Sequence, residues 1–133
     1  MATIAELQAR VHRIARDKGW WDKERTVGDH IALMHSELTE ALEEYRNGRG
    51  PAEVYYTCQE VDADGRVTGQ VRAETRAEIP PGTLVRPEGV AVQLGDCLIR
   101  ILDFCEHFGI DLESLLEQKI DYNERHRYGE KVI

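Results

Sequence analysis

Three carboxylates follow one another at i, i+3 and i+7 in the segment His30–Arg46, HIALMHSELTEALEEYR: Glu37, Glu40 and Glu44. On a helix this spacing lines them along one strip. Ile31, Met34, Leu38, Ala41, Leu42 and Tyr45 mark an apolar face built to be buried, and Glu37 borders that face instead of lying opposite it. A carboxylate at the edge of a core is costly to desolvate unless something positive meets it. A lysine or arginine meets that need, and so does a divalent cation held through oxygen ligands.

A second stretch repeats the pattern. Gln93, Asp96 and Arg100 border a face formed by Val90, Leu94, Leu98, Ile101, Cys105 and Phe108. Antiparallel packing of the two helices would bring Glu37, Glu40, Asp96 and Gln93 to one point, a hard-oxygen set suited to Mg²⁺ or Mn²⁺. Spacing alone leaves a second account open, in which Arg100 or another base neutralises the acids. In a third stretch Lys119 and Asn123, at i, i+4, project into the face of Leu112, Leu115, Leu116 and Ile120. A lysine on a buried face needs a partner, which the acidic cluster or a ligand's phosphates would supply. Snorkelling would serve Lys119 but not Asn123. Trp20 and Trp21 are adjacent, so a regular element cannot point both the same way. Either one packs inward and the other stacks on a flat ligand, or both pack on helix ends.

The elements that must position these groups follow from caps and periodicity. Thr3-Ile-Ala-Glu6 has the form of a capping box, opening a first helix on Ile4, Leu7, Val11 and Ile14 that Gly19 ends. Thr26 or Asp29 caps the second helix, which runs to about Asn47-Gly48. Glu53–Glu60 and Arg66–Ala77 are rich in Val, Tyr and Thr and flank Asp62-Ala-Asp-Gly65, which predicts a β-hairpin. Pro87 falls in the first turn of the third helix, which Gly109 ends. Asp111 caps a fourth, from Leu112 to about Arg127, with Arg125, His126 and Arg127 at the end where the helix dipole favours positive charge. The expected fold class is therefore all-α. A four-helix bundle forms a single domain over residues 1–133, with 51–82 as a small inserted β-hairpin.

Composition narrows the function classes. A chain of 133 residues with formal net charge −8 lacks the basic surface that a nucleic acid polymer requires. A small phosphorylated ligand is compatible with that charge, because bound cations reverse the local sign. No apolar run approaches the roughly 20 residues that span a bilayer, and the first residues lack a secretory-type apolar segment. Cys58, Cys97 and Cys105 are odd in number and form no CxxC pattern, which points to free thiols and a cytoplasmic protein.

At this point a family comes into view. His35-Ser-Glu-Leu-Thr-Glu-Ala-Leu-Glu-Glu-Tyr-Arg46 resembles the first acidic motif of the MazG-like all-α nucleoside triphosphate pyrophosphohydrolases. The run from Pro87 to Asp103 is similar to the second motif, and Lys119-Ile-Asp-Tyr-Asn123 to the third. The resemblance covers the helical part of the chain and not the hairpin. It implies a Mg²⁺-dependent enzyme that splits a nucleoside triphosphate into monophosphate and pyrophosphate. It implies Glu37, Glu40 and Asp96 as metal ligands, to which the spacing adds Gln93; in a hydrolytic mechanism Glu37 or Glu40 could instead be the catalytic base. Lys119 and Asn123 would meet the phosphates, Trp20 or Trp21 the base, and the bundle would assemble as a homodimer or homotetramer. Two positions depart from the motifs: Ser36-Glu37 replaces a pair of adjacent acids, and Gln93-Leu-Gly-Asp96 replaces Glu-x-x-Asp. Gln93 keeps an oxygen ligand but removes a charge and cannot act as a base. The alternative is accordingly a catalytically impaired nucleotide-binding or assembly protein of the same fold.

Overall fold

Thr3 opens the first helix by the reciprocal bonds its sequence suggests: its hydroxyl accepts from Glu6 N, and the Glu6 carboxylate accepts from Thr3 N. The computed structural model describes residues 1–126. The elements are α1 (Ile4–Asp17), a 3₁₀ turn (Trp20–Asp22), α2 (Val27–Arg46), β1 (Tyr55–Val61), β2 (Val67–Ala73), a second 3₁₀ turn (Arg76–Glu78), β3 (Arg86–Glu88), α3 (Val90–His107) and α4 (Leu112–Arg125). Thr26 and Asp29 cap α2 together, each backbone N–H donating to the other's side chain. Asp111 caps α4 by accepting from Ser114 N. Arg127, expected at the end of α4, lies outside the described residues.

The chain divides into two compact units. The first holds residues 1–30 and 99 onward: α1, the first 3₁₀ turn, the start of α2, the C-terminal half of α3, and α4. Ile4 N donates to Glu113 Oε1 at 3.0 Å and Gln8 Nε2 to Ile110 O at 3.0 Å, which ties α1 to the α3–α4 segment. Leu102 and Cys105 are buried there beside Gln8, His30 and Asp103.

The second unit, Ile31–Leu98, holds the rest of α2, the strands and the first half of α3. Its strands form an antiparallel sheet in the order β2-β1-β3. The β1–β2 hairpin turns through Asp62–Gly65, where Asp62 Oδ1 accepts from the backbone of Asp64 and Arg66. That carboxylate caps a turn. Tyr55, Thr57, Ala73 and Ile79 are buried in this region, together with Glu37, Ala41, Gln93 and Cys97 on the helices.

Two expectations are corrected. The chain is not all-α: four helices are joined by a three-stranded antiparallel sheet, so the fold is mixed α/β and mostly helical. The third strand comes from residues assigned to the start of the third helix. Pro87 pairs with Tyr56 on β3, an edge strand where a missing N–H is tolerated. Gly89 then makes the transition into α3 at φ 130, and a Cβ there would collide with the Glu53 carbonyl.

The second correction concerns the apolar faces, of which Ala41 and Cys105 are buried but most large side chains stay exposed among the described residues. Leu38, Leu42 and Tyr45 on α2 are 47%, 46% and 62% exposed, and Leu94 and Leu98 on α3 are 49% and 46% exposed. Leu115, Leu116 and Ile120 on α4 are exposed as well. The buried residues of this part of α2 and α3 are Ala41, at the edge of the expected face, with Glu37, Gln93 and Cys97. Among the described residues no helix is long and apolar enough to cross a membrane.

Candidate functional site

One turn into α3, where its backbone N–H reaches the Gly89 carbonyl, Gln93 is 5% exposed. With its amide nitrogen turned toward α2, Gln93 donates to Glu40 Oε2 at 2.9 Å, to Glu37 Oε2 at 3.2 Å and to Asp96 Oδ2 at 3.2 Å. The four residues anticipated as one oxygen-rich group are thus gathered around a single atom, and all lie in the second unit. An amide nitrogen carries two protons, one fewer than the three carboxylates that press on it. The crowding shows at Glu40. Burial of its carboxyl, a hydrogen bond with Glu37 and the charges of Glu37 and Asp96 raise its pKa above the ordinary 4.5, while Arg86 pulls the other way. Glu40 as a whole stays exposed, so its carboxyl retains access to water and ions.

Among the described residues no set of three His, Cys, Asp or Glu side chains is gathered tightly enough to hold a metal ion. The acids keep the width of an intervening amide. The chemistry of the set nevertheless fits Mg²⁺: three carboxylates, and an amide that presents oxygen in place of nitrogen after a half-turn.

The sheet fixes the rest of the acidic strip. Glu44 is taken out of the cluster by Tyr55, whose hydroxyl donates to both carboxylate oxygens at 2.9 and 3.0 Å. Burial and this bond raise the Tyr55 pKa. Arg49 stacks 3.8 Å over the Tyr55 ring and meets Glu74 at 2.7 Å. Arg86 on β3 approaches Glu88 Oε1 through Nε at 3.1 Å, and Thr57 Oγ1 donates to the same oxygen. Sequence reasoning missed Arg86. Its signal was Pro87, which suits an edge strand as well as a helix start.

The remaining anticipated residues belong to the first unit. Lys119 and Asn123 are exposed on α4, with Lys119 Nζ 4.8 Å from the Tyr122 ring. The Trp20 ring carries the guanidinium groups of Arg25 at 3.9 Å and Arg100 at 4.7 Å. Trp21 stacks on His107 at 3.7 Å, with His30 at 4.8 Å. Its indole N–H donates to Asp103 at 3.0 and 3.2 Å, and His12 Nδ1 meets the same carboxylate at 2.7 Å. Both tryptophans therefore already have close partners within the chain. His12 and Trp21 also line a cavity of about 730 Å³ with Arg13 and Arg16. No family model, curated protein or solved structure matches the chain.

Proposed function

We propose that the chain is a MazG-like nucleoside triphosphate pyrophosphohydrolase that uses Mg²⁺. The observation that carries this reading is the convergence of Glu37, Glu40 and Asp96 on the Gln93 amide, close enough that the charges of Glu37 and Asp96 raise the proton affinity of Glu40. Carboxylates crowded in this way favour a bound proton or cation. Glu37, Glu40, Asp96 and the Gln93 oxygen would hold the metal. Bound there, Mg²⁺ supplies charge neutralisation for phosphate oxygens and acidifies water.

The chain's own groups supply the rest. Glu37 or Glu40, in place of holding the metal, accepts the proton of the attacking water. The water oxygen bonds to the α-phosphorus, and the bond from that phosphorus to the bridging oxygen breaks. Pyrophosphate leaves with the electron pair, and a nucleoside monophosphate remains. Lys119 and Asn123 are assigned to the phosphates by the resemblance of Lys119–Asn123 to the third motif.

Self-association belongs to the same proposal. The exposed stripes on α2 and α3 are apolar surface of the kind a second copy would cover, as a homodimer or homotetramer. Three free cysteines, two of them buried, suit a cytoplasmic protein.

The test is pyrophosphate release from a panel of canonical and damaged nucleoside triphosphates with Mg²⁺, for wild type and Glu40→Gln. Wild-type turnover that the variant loses is expected. A wild type inactive on every member of the panel would defeat the proposal. One observation favours a second reading, a nucleotide-binding protein without turnover: the Gln93 amide can satisfy most of the cluster with no metal. Calorimetric binding of a triphosphate without pyrophosphate release is the result that reading requires.

A further inference from the structure

The sheet carries a cavity that the acidic cluster does not explain. Residues 55, 57, 59 and 61 of β1 share one face because side chains alternate along a strand. Their cross-strand partners join them on that face: Arg72 and Arg86 flank Thr57, Glu88 lies beside Tyr55, and Gln70 lies beside Gln59. This is the face on which Tyr55 reaches Glu44 of α2. It leads from the acidic helix past Arg86 to the paired amides of Gln59 and Gln70, and four residues of strand cover about 13 Å.

A cavity of about 600 Å³ opens there, lined by Thr57, Gln59, Val61, Gln70, Leu84 and Arg86 among others. That volume is within the range that holds small organic ligands. Thr57 and the Arg86 Nε are committed to Glu88 Oε1, but neither glutamine amide has a hydrogen-bond partner among the described residues, and neither do the terminal nitrogens of Arg86. Leu84, 92% exposed, and Val85 add an apolar wall. Paired amides can match the donor–acceptor edge of a heterocyclic base, and a guanidinium fork matches phosphate.

We propose that this cavity holds the sugar and base of a nucleoside triphosphate, with Arg86 on its phosphate tail where the tail runs toward Glu37, Glu40 and Asp96. The inference rests on the nucleotide reading above and names its substrate pocket. Arg86, Gln59 and Gln70 are substrate-binding residues in it, and the insert becomes the part of the chain that selects the base.

The full chain is tested by equilibrium binding with Mg²⁺. The probes are α,β-methylene nucleoside triphosphates bearing each of the four common bases, and inorganic tripolyphosphate. Wild type should bind at least one nucleotide more tightly than tripolyphosphate. Gln59→Ala with Gln70→Ala should lower that affinity ratio about tenfold, and Arg86→Gln should weaken nucleotide and tripolyphosphate alike by about as much. All three side chains are exposed, and circular dichroism checks that the variants fold. An unchanged ratio in the double variant overturns the inference, as does a wild type that prefers no nucleotide over tripolyphosphate. Pyrophosphate release by wild type alongside an unchanged ratio removes the pocket and leaves the hydrolase. The expected ratios without pyrophosphate release remove the hydrolase and leave the pocket.

Discussion

The two units bury carboxylates in opposite ways. In the first, Asp103 is 6% exposed and meets two donors, the His12 ring and the Trp21 indole. In the second, Glu37 is 7% exposed and shares one amide with Glu40 and Asp96. One acid with two donors is a satisfied buried group, whose loss would leave its partners unpaired. Three acids crowd on two amide protons, and the charges of Glu37 and Asp96 raise the proton affinity of Glu40. On the reading proposed above, the first centre is structural and the second is where the chemistry takes place.

The largest effect that sharpens this contrast is on turnover. Glu40→Gln should lower the rate of pyrophosphate release by about 100-fold or more, since it removes a carboxylate that serves as metal ligand or as base. The same change relieves like-charge repulsion, so the variant without metal should melt no lower than wild type. A variant that keeps wild-type turnover would remove Glu40 from the chemistry.

Asp103→Ala should do the reverse. It strands the His12 and Trp21 donors in a buried setting, at a cost of about 3 kcal/mol in urea unfolding. A loss below about 1 kcal/mol would mean that the two centres differ less than their donor counts suggest.

Mg²⁺ separates the centres by ligation. Saturation at about 100 times its dissociation constant stabilises a protein by roughly 2.7 kcal/mol. Thermal unfolding of wild type should rise accordingly, and that of Glu40→Gln by clearly less. Equal shifts in the two proteins would move the ion to another place.

What the sequence made legible was local. The Thr3–Glu6 box, the Asp111 cap and the hairpin turn at Asp62–Gly65 follow from spacing within a few residues, and the strips holding Glu37 with Glu40 and Gln93 with Asp96 from spacing along a helix face, though their meeting depended on how two helices pack. The misses are long-range. Pro87 fits both a helix start and an edge strand, and only pairing with Tyr56, 31 residues away, decides between them. Periodicity on α2 identified the apolar stripe through Leu38 and Leu42 but not whether this chain covers it. The Asp103 centre unites His12, Trp21 and Asp103 from three elements, a conjunction that no local pattern announces.

Tyr55→Phe probes how far the sheet steadies the acidic helix. Removing the hydroxyl leaves Glu44 without its bidentate donor but keeps the ring under Arg49, so a loss of about 1 kcal/mol is expected in urea unfolding. A neutral result would make the sheet a passenger on α2.

The smallest effect, and the one that contrasts the units most directly, is their response to acid in metal-free protein. His30 is held below its ordinary 6.5 by burial and by the Arg25 charge, with His107 adding to the effect and Asp103 and Asp29 opposing it. As pH falls through 6.5 the unfolded chain takes up a proton that folded His30 refuses until lower pH, so the first unit loses stability across that window. Glu40 is held above its ordinary 4.5, for the reasons of burial and crowding given above. As pH falls from that raised value toward 4.5, the folded chain takes up a proton that the unfolded chain does not, so the second unit gains stability. Amide exchange, corrected for intrinsic rates, should show slower local opening at Ala41 and Cys97 and faster opening at Leu102 and Cys105 on going from neutral pH to about pH 5. Movement of both units in the same direction would show that the two centres do not hold their protons in opposite senses.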